Sequence, residues 1–500
     1  MKQVGCRPSL LIAETPLPSP SGMVFRVLRG SAIYGLANFG TKAINLFLLV
    51  PLFTRFLTPS EYGKICLAES VAVLVVAIST VSLDVALRRL YFQYSDNLQL
   101  LRRYVSSVLR SAAVLLVLSL GVALACGRQL FAIFAPNFAI PFFPYTALAI
   151  MTAIAAQVVQ YRLVLFQVEG RAKHYAMLAL CVFVLTGAAA VLLVVFVPWG
   201  AYGMLLAKLV GTGASAVGAA FLLKQWFWAG WEWPFVRESL RFSLPLVPFG
   251  LTALVLDVAD RFILQHFRPT AEVGLYTVAY TFGMVMFLVT LSLWQAFSPV
   301  YFETARSIHG GRVLGRLSSG LIVLLVAIAI FGALVAQDFV RWILAPRYFP
   351  AGRLIPLIIA AYLFHALFSV FQLSVLQNNR TVLLFLVSTV ALSVNIATNL
   401  LLIPRWGMFG AAYANLGTFA LEAVLMYVWA QRAYPLCYNG FTIIAAIVLL
   451  LVVLTLTQLP WSNSVRPIAM GLSLIIAILT LTTMSAKDLS NVFAMFARAR

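Results

Sequence analysis

Apolar runs recur along the whole chain and are separated by short polar segments. Each run holds about 20 residues, which lets a helix cross a hydrocarbon core of roughly 30 Å. The pattern predicts an all-α polytopic membrane protein with about fourteen transmembrane helices. Because the connections between the runs are short, they leave no room for a sizeable soluble catalytic domain.

Two residue patterns occur twice. The segment RFLTPSEYGKICLAE at 55–69 has a counterpart within 244–280, about 210 residues later, and PWGAYG at 198–203 has one in PRWGMFG at 404–410, about 207 residues later. Two echoes at nearly the same offset predict an internal duplication. We therefore expect two pseudo-symmetric six-helix lobes followed by two additional C-terminal helices.

These patterns divide the chain into six segments. We expect a flexible cytoplasmic tail at 1–24, an N-terminal six-helix lobe at 25–224, an interlobe linker at 225–239, a C-terminal six-helix lobe at 240–432, two additional helices at 433–486 and a cytoplasmic tail at 487–500. The first segment is rich in proline and has no small-residue cleavage site behind an apolar core, so it does not resemble a signal peptide.

The composition excludes a soluble protein. Of the 500 residues, 62% are hydrophobic and 10% are charged, and the mean hydropathy is +0.98, so the charges are too few for a water-facing surface. A net charge of +20 would suggest nucleic acid in a soluble protein. Here about 21 lysines and arginines fall on one side of the predicted helices and about 9 on the other, which predicts membrane orientation with both termini in the cytoplasm.

No residue pattern indicates a metal or a cofactor. The five cysteines are scattered without a CxxC pair, and the four histidines form no HExxH or similar ligand pair. The sequence also contains no GxxxxGK(S/T) nucleotide-binding loop. We expect neither a metal nor a cofactor, and no catalytic residue is predicted.

One face of the first predicted helix, 30–50, carries polar side chains at helical spacing. They are Asn38, Lys42 and Asn45. We expect this helix to end at Pro51. Lys42 lies near the middle of the membrane, where a lysine cannot easily snorkel to an interface, so an anionic partner is expected. That partner is a ligand in a cavity or an internal carboxylate, Asp257 or Glu422, and the two alternatives are compatible.

Two further cations lie inside predicted helices of the same lobe. Arg162 is in the helix at 143–168, and Lys208 follows the PWGAYG segment. A charge at membrane depth usually faces a bundle interior or a wet cavity. Together with Lys42, these residues give a predicted central cavity an excess of positive charge, provided that some of the acidic residues are paired internally.

The predicted seventh helix, 240–264, carries two prolines near its start and three ionisable residues. Pro245 and Pro248 predict a bend. Asp257 and Arg261 are four residues apart, which favours a pair along the helix, whereas Asp260 points about 100° away. If Arg261 neutralises Asp257, Asp260 remains uncompensated and can hold a proton or a cation. Alternatively, Asp260 and Arg261 mark the outer end of the helix.

Further polar residues occur later in the chain. Asn395, Asn399 and Glu422 are polar enough to line a cavity or to bridge helices. His365 is expected to be a hydrogen-bonded core residue. Three arginines cluster in the longest outward loop, where we expect an interfacial hinge or, alternatively, a contact for departing substrate. They are Arg341, Arg347 and Arg353.

The chain resembles a known family in the order and spacing of several motifs. FLTPSEYG follows the first predicted helix, SLPLVP and DVADRFIL lie in the seventh, and AEVGLYTVAY opens the eighth. With the six-plus-six repeat, this arrangement is similar to the Wzx-type polysaccharide-transporter flippases, over roughly 26–432. Their superfamily also contains lipid II flippases and multidrug and toxin extruders.

The resemblance implies a function and a set of site residues. It implies translocation of undecaprenyl-diphosphate-linked oligosaccharides across the bacterial inner membrane by alternating access, for O-antigen or exopolysaccharide synthesis. The expected partners are the lipid-linked substrate, membrane lipids, a polysaccharide polymerase and a chain-length protein, without nucleic acid. The implied substrate cavity contains Asn38, Lys42, Asn45, Arg162 and Lys208. The implied ion-coupling or charge network contains Asp257, Asp260, Arg261 and Glu422.

Three alternatives are weighed against this function. A cation-coupled multidrug exporter would be expected to have a more acidic and aromatic cavity, which the basic residues argue against. A lipid II flippase also handles a lipid diphosphate, and substrate-specific assays are needed to separate the two. A membrane enzyme acting on the same lipid would be expected to carry large outer loops with catalytic residues, whereas the predicted outer loops are short.

Overall fold

The computed structural model describes residues 39–134, 140–305, 310–378, 380–438 and 440–458, and within these ranges it contains helices and no strand. Eleven of the described helices are long and apolar enough to cross a membrane, and a bent pair makes up to twelve. The all-α membrane architecture is confirmed. The predicted count of fourteen spans is not reached in the described ranges, and part of the segment predicted to form two additional helices, 433–486, lies outside them, as do both tails.

The first half of the chain supplies one bundle, and the second half supplies another. The first contains α1 (Phe39–Phe56), α2 (Pro59–Thr80), α3 (Leu83–Leu90), α4 (Leu98–Phe134), α5 (Phe142–Val168), α6 (Ala172–Phe196) and α7 (Gly200–Phe227). The second follows the short α8 (Trp233–Ser243) and contains α9 (Leu246–Phe267), α10 (Thr270–Gly283), α11 (Val285–Thr304), α12 (Gly310–Ile343), α13 (Ile355–Gln377), α14 (Thr381–Trp406), α15 (Met408–Ala433) and α16 (Gly440–Gln458).

Helix α1 does not end at Pro51, so that prediction was wrong. A π-helical turn, Asn45–Leu49, precedes the proline, and the helix then continues to Phe56. Pro51 lies in the first turn after the π-helical turn. A proline is tolerated in a first helical turn because its missing N–H has no required partner there.

The TPSE motif starts α2 by capping it. The Thr58 hydroxyl accepts a hydrogen bond from Glu61 N, and a Glu61 carboxylate oxygen accepts one from Thr58 N at 2.8 Å. This is a capping box, with Pro59 at the position where proline suits a helix start. The local sequence therefore fixes where the second span begins.

A glutamate also occurs in the first turn of α10, as it does in α2. Each of these two glutamates contacts a glycine of the second repeated motif, PWGAYG or PRWGMFG. Glu61 lies against Gly200, and Glu272 lies against Gly407, because a Cβ on either glycine would overlap the carboxylate. Glu272 also accepts a hydrogen bond from Met408 N at 3.0 Å. Both glycines have positive φ, +58° and +55°, a region that favours glycine. The two repeated motifs thus meet within each lobe, as an internal duplication requires.

The lobes meet through α2 and α10 at their predicted outward ends. Gly63 and Gly274 permit this close approach. A Cβ on Gly63 would overlap the carbonyl oxygen of Thr270, and a Cβ on Gly274 would overlap that of Pro59. The 3₁₀ turn Pro346–Arg353 adds a second contact across this boundary, since the Tyr348 hydroxyl donates to Leu57 O at 2.9 Å. The two lobes are therefore joined at one end of the bundle.

The last seven residues of the predicted linker, 233–239, lie in a helix. Helix α8 packs against α3 and α4 of the N-terminal lobe. The Tyr94 hydroxyl donates to the Glu238 carboxylate, and Arg103 pairs with Glu232 at 3.2 Å. Helices α8 and α9 are separated at Leu244 and Pro245 and differ in direction by 46°, in agreement with the bend predicted from Pro245 and Pro248.

Candidate functional site

The N-terminal lobe contains an open cavity of about 450 Å³, lined by three of the predicted substrate-binding residues. Residues from α1, α2, α5, α6 and α7 line it, and they include Lys42, Asn45 and Lys208. The rest of the wall is mainly apolar. Asn38 lies outside the described residues. The structure thus brings together side chains from the first and sixth predicted helices, 163 residues or more apart along the chain.

The two lysines in this N-lobe cavity differ in their partners. Lys208 pairs with the Glu69 carboxylate, and their side chains are 31% and 40% exposed. Lys42 is exposed and forms no hydrogen bond or ion pair with a described residue. Its internal alternatives, Asp257 and Glu422, are bound elsewhere among the described residues. Lys42 therefore remains available to an anionic ligand.

Arg162 is placed away from both described cavities. It pairs with Glu169 at 3.2 Å, its side chain is 2% exposed, and its guanidinium carbon lies 3.8 Å from the centre of the Phe166 ring. Glu169 also contacts Arg171 at 3.4 Å. The buried charge of Arg162 is thus compensated by Glu169, just beyond the end of the helix that carries Arg162. Its predicted substrate contact has no support from the geometry, and we do not include Arg162 in the cavity.

The C-terminal lobe encloses a second cavity, of about 390 Å³, with the opposite chemistry. Asp257, His365 and Glu422 line it together with several aromatic rings. Asp257 accepts a hydrogen bond from the Tyr280 hydroxyl at 2.9 Å. Glu422 accepts one from the Ser388 hydroxyl at 3.2 Å, and the His365 Nδ1 lies 3.4 Å from its other oxygen. His365 is thus hydrogen-bonded, as predicted, at the wall of a cavity.

Arg261 does not pair with the Asp257 carboxylate as the four-residue spacing suggested. Its Nη1 donates to the backbone oxygen of Asp257 instead. The guanidinium carbon lies 4.8 Å from the centre of the Tyr280 ring. Tyr280 therefore contacts both residues, with its hydroxyl on the carboxylate and its ring beneath the cation. Tyr280 lies on the next helix, so its contacts with Asp257 and Arg261 could not be predicted from residue spacing along α9 alone.

Asp260 lies in a separate, fully buried polar cluster. Its Oδ2 accepts hydrogen bonds from the Tyr276 hydroxyl and from Asn415 Nδ2, the latter at 3.0 Å. The cluster continues through Asn395, whose Nδ2 donates to Asn415 Oδ1 at 2.8 Å, and through Asn399, whose Nδ2 donates to Asn395 Oδ1 at 2.8 Å. Asp260 is 0% exposed, so it does not mark an exposed helix end. The asparagines bridge helices, one of the two predicted alternatives.

Two buried oxygens in this cluster accept no hydrogen bond from any described residue. They are Asp260 Oδ1 and Asn399 Oδ1. An unsatisfied buried acceptor is costly, so it usually marks a functional position or a missing partner. Oxygen atoms from carboxylate and amide groups are also the atoms that hard cations prefer. The Asp260 cluster can therefore accept a proton or a small cation.

The family of the chain follows from its sequence profile. The profile of a family described as polysaccharide biosynthesis protein matches residues 27–305, more than half of the chain. The chain belongs to this family. No curated protein matches the chain closely enough to extend the assignment.

Solved transporter structures share the fold. The lipid II flippase MurJ, in an inward closed conformation, is 11% identical with a TM-score of 0.69, and the match covers 92% of this chain and 99% of MurJ. An inward-facing MATE-family multidrug resistance transporter of the MOP superfamily is 12% identical with a TM-score of 0.64, covering 80% and 97%. A mutant of the Vibrio cholerae MATE transporter VcmN is 14% identical with a TM-score of 0.56, covering 83% and 97%.

Several residues of these sites escaped the sequence analysis. Glu69, Tyr276 and Tyr280 are partners of predicted residues but lie on other helices. Asn415 and Thr418 receive hydrogen bonds from Asn395. One signal was present, since Asn415, Thr418 and Glu422 have spacings of three and four and so share a helix face. The two tyrosines show no such signal, because aromatic residues are frequent throughout the chain.

Proposed function

We propose that this protein is a flippase that moves undecaprenyl-diphosphate-linked oligosaccharide repeat units across the bacterial inner membrane, for O-antigen or exopolysaccharide synthesis. Membership of the polysaccharide biosynthesis family supports the cargo class. The fold shared with MurJ, named as a lipid II flippase, supports movement of a lipid-linked substrate. The proposal makes the protein a transporter in the inner membrane with cytoplasmic termini, and a polymerase and a chain-length protein are its expected partners.

The position of Lys42 is the observation that most directly supports this proposal. Lys42 forms no ion pair with a described residue and is exposed in a cavity whose wall is mainly apolar, so its charge lacks a counterion there. A diphosphate bound there would restore the missing charge interaction, and a low-dielectric wall would strengthen it. Lys208 adds a donor whose charge Glu69 largely offsets. Asn45 can bind a phosphate or a sugar hydroxyl in the same cavity.

The junction between the lobes suggests how access alternates. The lobes are tied at their predicted outward ends by Gly63 against α10, by Gly274 against α2 and by Tyr348 on Leu57. In this state substrate would enter from the cytoplasmic side. Separation of these contacts, with closure at the other end, would expose the N-lobe cavity outward. Such rocking needs no nucleotide, and the sequence offers no nucleotide-binding loop.

Energy for this movement would come from an ion gradient or from the membrane potential. The Asp260 cluster is the proposed coupling site, because it holds a buried carboxylate and two unsatisfied acceptors. A proton or a small cation at Asp260 Oδ1 would satisfy the carboxylate and would change the hydrogen bonds that link α9 to α15. Asp257, Arg261 and Glu422 would form the adjoining charge network. Transport would then depend on filling and emptying this cluster in each cycle.

Export by Lys42 variants tests the proposal in cells. Lys42→Ala should abolish export of the polymer at normal protein level, while Lys42→Arg should retain part of it because the charge remains. Lys224→Ala removes a cation outside the cavity and serves as the matched control. Full export by Lys42→Ala would remove Lys42 from the site.

A further inference from the structure

The C-lobe cavity, defined above by Asp257, His365 and Glu422, is walled by a continuous aromatic surface. The rings of Tyr280 and Tyr362 lie 5.6 Å apart between centroids, those of Phe287 and Tyr362 lie 5.8 Å apart, and those of Tyr362 and Phe419 lie 6.1 Å apart. All four rings line the cavity. Aromatic faces carry negative partial charge and attract cations. The cavity therefore places several aromatic rings around one bound group.

Two carboxylates share this aromatic wall. Asp257 is half-buried and uses one oxygen on the Tyr280 hydroxyl, at 2.9 Å. Glu422 is buried, with Ser388 and His365 as its partners. No lysine or arginine is among the described residues that line the cavity. The nearby Arg261 is directed to the backbone of Asp257 and offsets part of the charge on that side, whereas Glu422 has no lysine or arginine beside it among the described lining residues.

The size and ligand set of the cavity distinguish an organic cation from a metal ion. A volume of about 390 Å³ is far larger than a bare ion requires. No group of three His, Cys, Asp or Glu side chains that could hold a metal ion occurs among the described residues. A cavity that is mainly aromatic and aliphatic, with a few fixed polar groups, is the usual form of a site for a small organic molecule.

We propose that the C-lobe cavity is a binding site for an organic cation, such as a protonated amine or a quaternary ammonium or phosphonium group. The charged centre would lie between Asp257 and Glu422, and the substituents would contact the rings of Phe287, Tyr362 and Phe419. The ligand would displace water from an acidic pocket and replace it with cation–π contacts. This inference goes beyond the flippase function and does not depend on it, because the N-lobe cavity has the opposite charge.

Binding of tetraphenylphosphonium to the purified full-length protein in lipid nanodiscs tests this inference. Equilibrium dialysis at pH 7 should show saturable binding. Triphenylphosphine oxide, a neutral probe of similar shape, should not compete. Asp257→Asn and Glu422→Gln should each weaken binding by tenfold or more, and Phe287→Leu should weaken it severalfold while keeping the cavity filled.

Two variants control for general effects. Asp84→Asn removes a carboxylate outside the cavity, and Lys42→Ala changes the other cavity, so both should bind the probe as the unmodified protein does. Absence of saturable binding to the unmodified protein would overturn the proposal. So would unchanged affinity in Asp257→Asn and Phe287→Leu, which keeps the test decisive if Glu422→Gln fails to fold. Export of polysaccharide is measured separately, so failure here leaves the flippase proposal standing.

Discussion

Arg347 of the C-terminal lobe donates hydrogen bonds to the backbone oxygen of Thr54 in the N-terminal lobe, from Nε at 3.2 Å and from Nη2 at 3.0 Å. Nη2 also donates to the oxygen of Arg55 at 2.6 Å. These carbonyls lie at the end of α1, where backbone acceptors lack helical partners and carry partial negative charge. One arginine therefore caps a helix of the opposite lobe and holds the lobes together.

Removing this cap should favour opening at the outward end. Leu57, which is 0% exposed beside Tyr348, can be replaced by cysteine in a background without other cysteines. Arg347→Ala should then raise the rate at which a membrane-impermeant maleimide labels position 57 from outside severalfold. Arg341→Ala removes a neighbouring arginine of the same outward region and is the control. Equal labelling rates in both variants would show that Arg347 does not hold the lobes.

The glycine contact between α2 and α10 should be sensitive to a single methyl group. Gly274→Ala places a Cβ against the carbonyl oxygen of Pro59, and such overpacking costs about 1–3 kcal/mol. The apparent Tm of the purified protein should fall. Gly213→Ala adds the same methyl group where nothing lies within 4 Å. A Tm for Gly274→Ala equal to that of Gly213→Ala would contradict the close approach.

The contact between Tyr94 and Glu238 should make docking of the linker helix sensitive to alkali. Burial of the phenol and its hydrogen bond to Glu238 raise the pKa of Tyr94 from 10.0 to about 12. Because the neutral phenol is favoured in the folded protein, the stabilisation is complete below pH 10 and is lost as the pH rises towards about 12. Thermal unfolding should therefore show a steeper loss over this window in the unmodified protein than in Tyr94→Phe. If the two proteins lost thermal stability equally over this pH range, the Tyr94–Glu238 contact would not contribute to stability.

Asp257 and Asp260 should respond differently to substitution. Asp257→Asn keeps an acceptor for Tyr280 in a half-buried position, so the protein should accumulate normally and lose transport. Asp260→Ala leaves the Tyr276 hydroxyl and Asn415 without an acceptor, at a cost of about 1–3 kcal/mol for each buried group. Its level in the membrane should fall. Quantitative immunoblotting beside an export assay checks both, and poor accumulation of Asp257→Asn would indicate a structural role.

The spans were predictable because each depends on local composition. A run of about 20 apolar residues must form a helix in a bilayer whatever lies beside it. The TPSE start of α2 was similarly local, since its capping box involves only Thr58 to Glu61. Pro51 was misjudged because the π-helical turn that accommodates it has no sequence signature of its own.

The partners of charged residues were less predictable. Arg162 was assigned to a cavity, but Glu169, two helical turns away, takes its charge. Arg261 matched the spacing for a pair with Asp257, yet Tyr280 of the next helix holds that carboxylate. Such choices depend on the rotation and depth of neighbouring helices, which hydrophobic periodicity does not fix. The acidic, aromatic C-lobe cavity also arises only when five separate segments of the chain are brought together.

Analysis of the lipid-linked intermediates in a strain without this gene tests the central claim most directly. The flippase account predicts loss of one surface polysaccharide, with its complete repeat unit accumulating on the undecaprenyl-diphosphate carrier at the cytoplasmic face. The unmodified gene should restore export, and the Lys42→Ala gene should not. Unchanged surface polysaccharide without this intermediate, accompanied by new sensitivity to cationic drugs, would contradict the account.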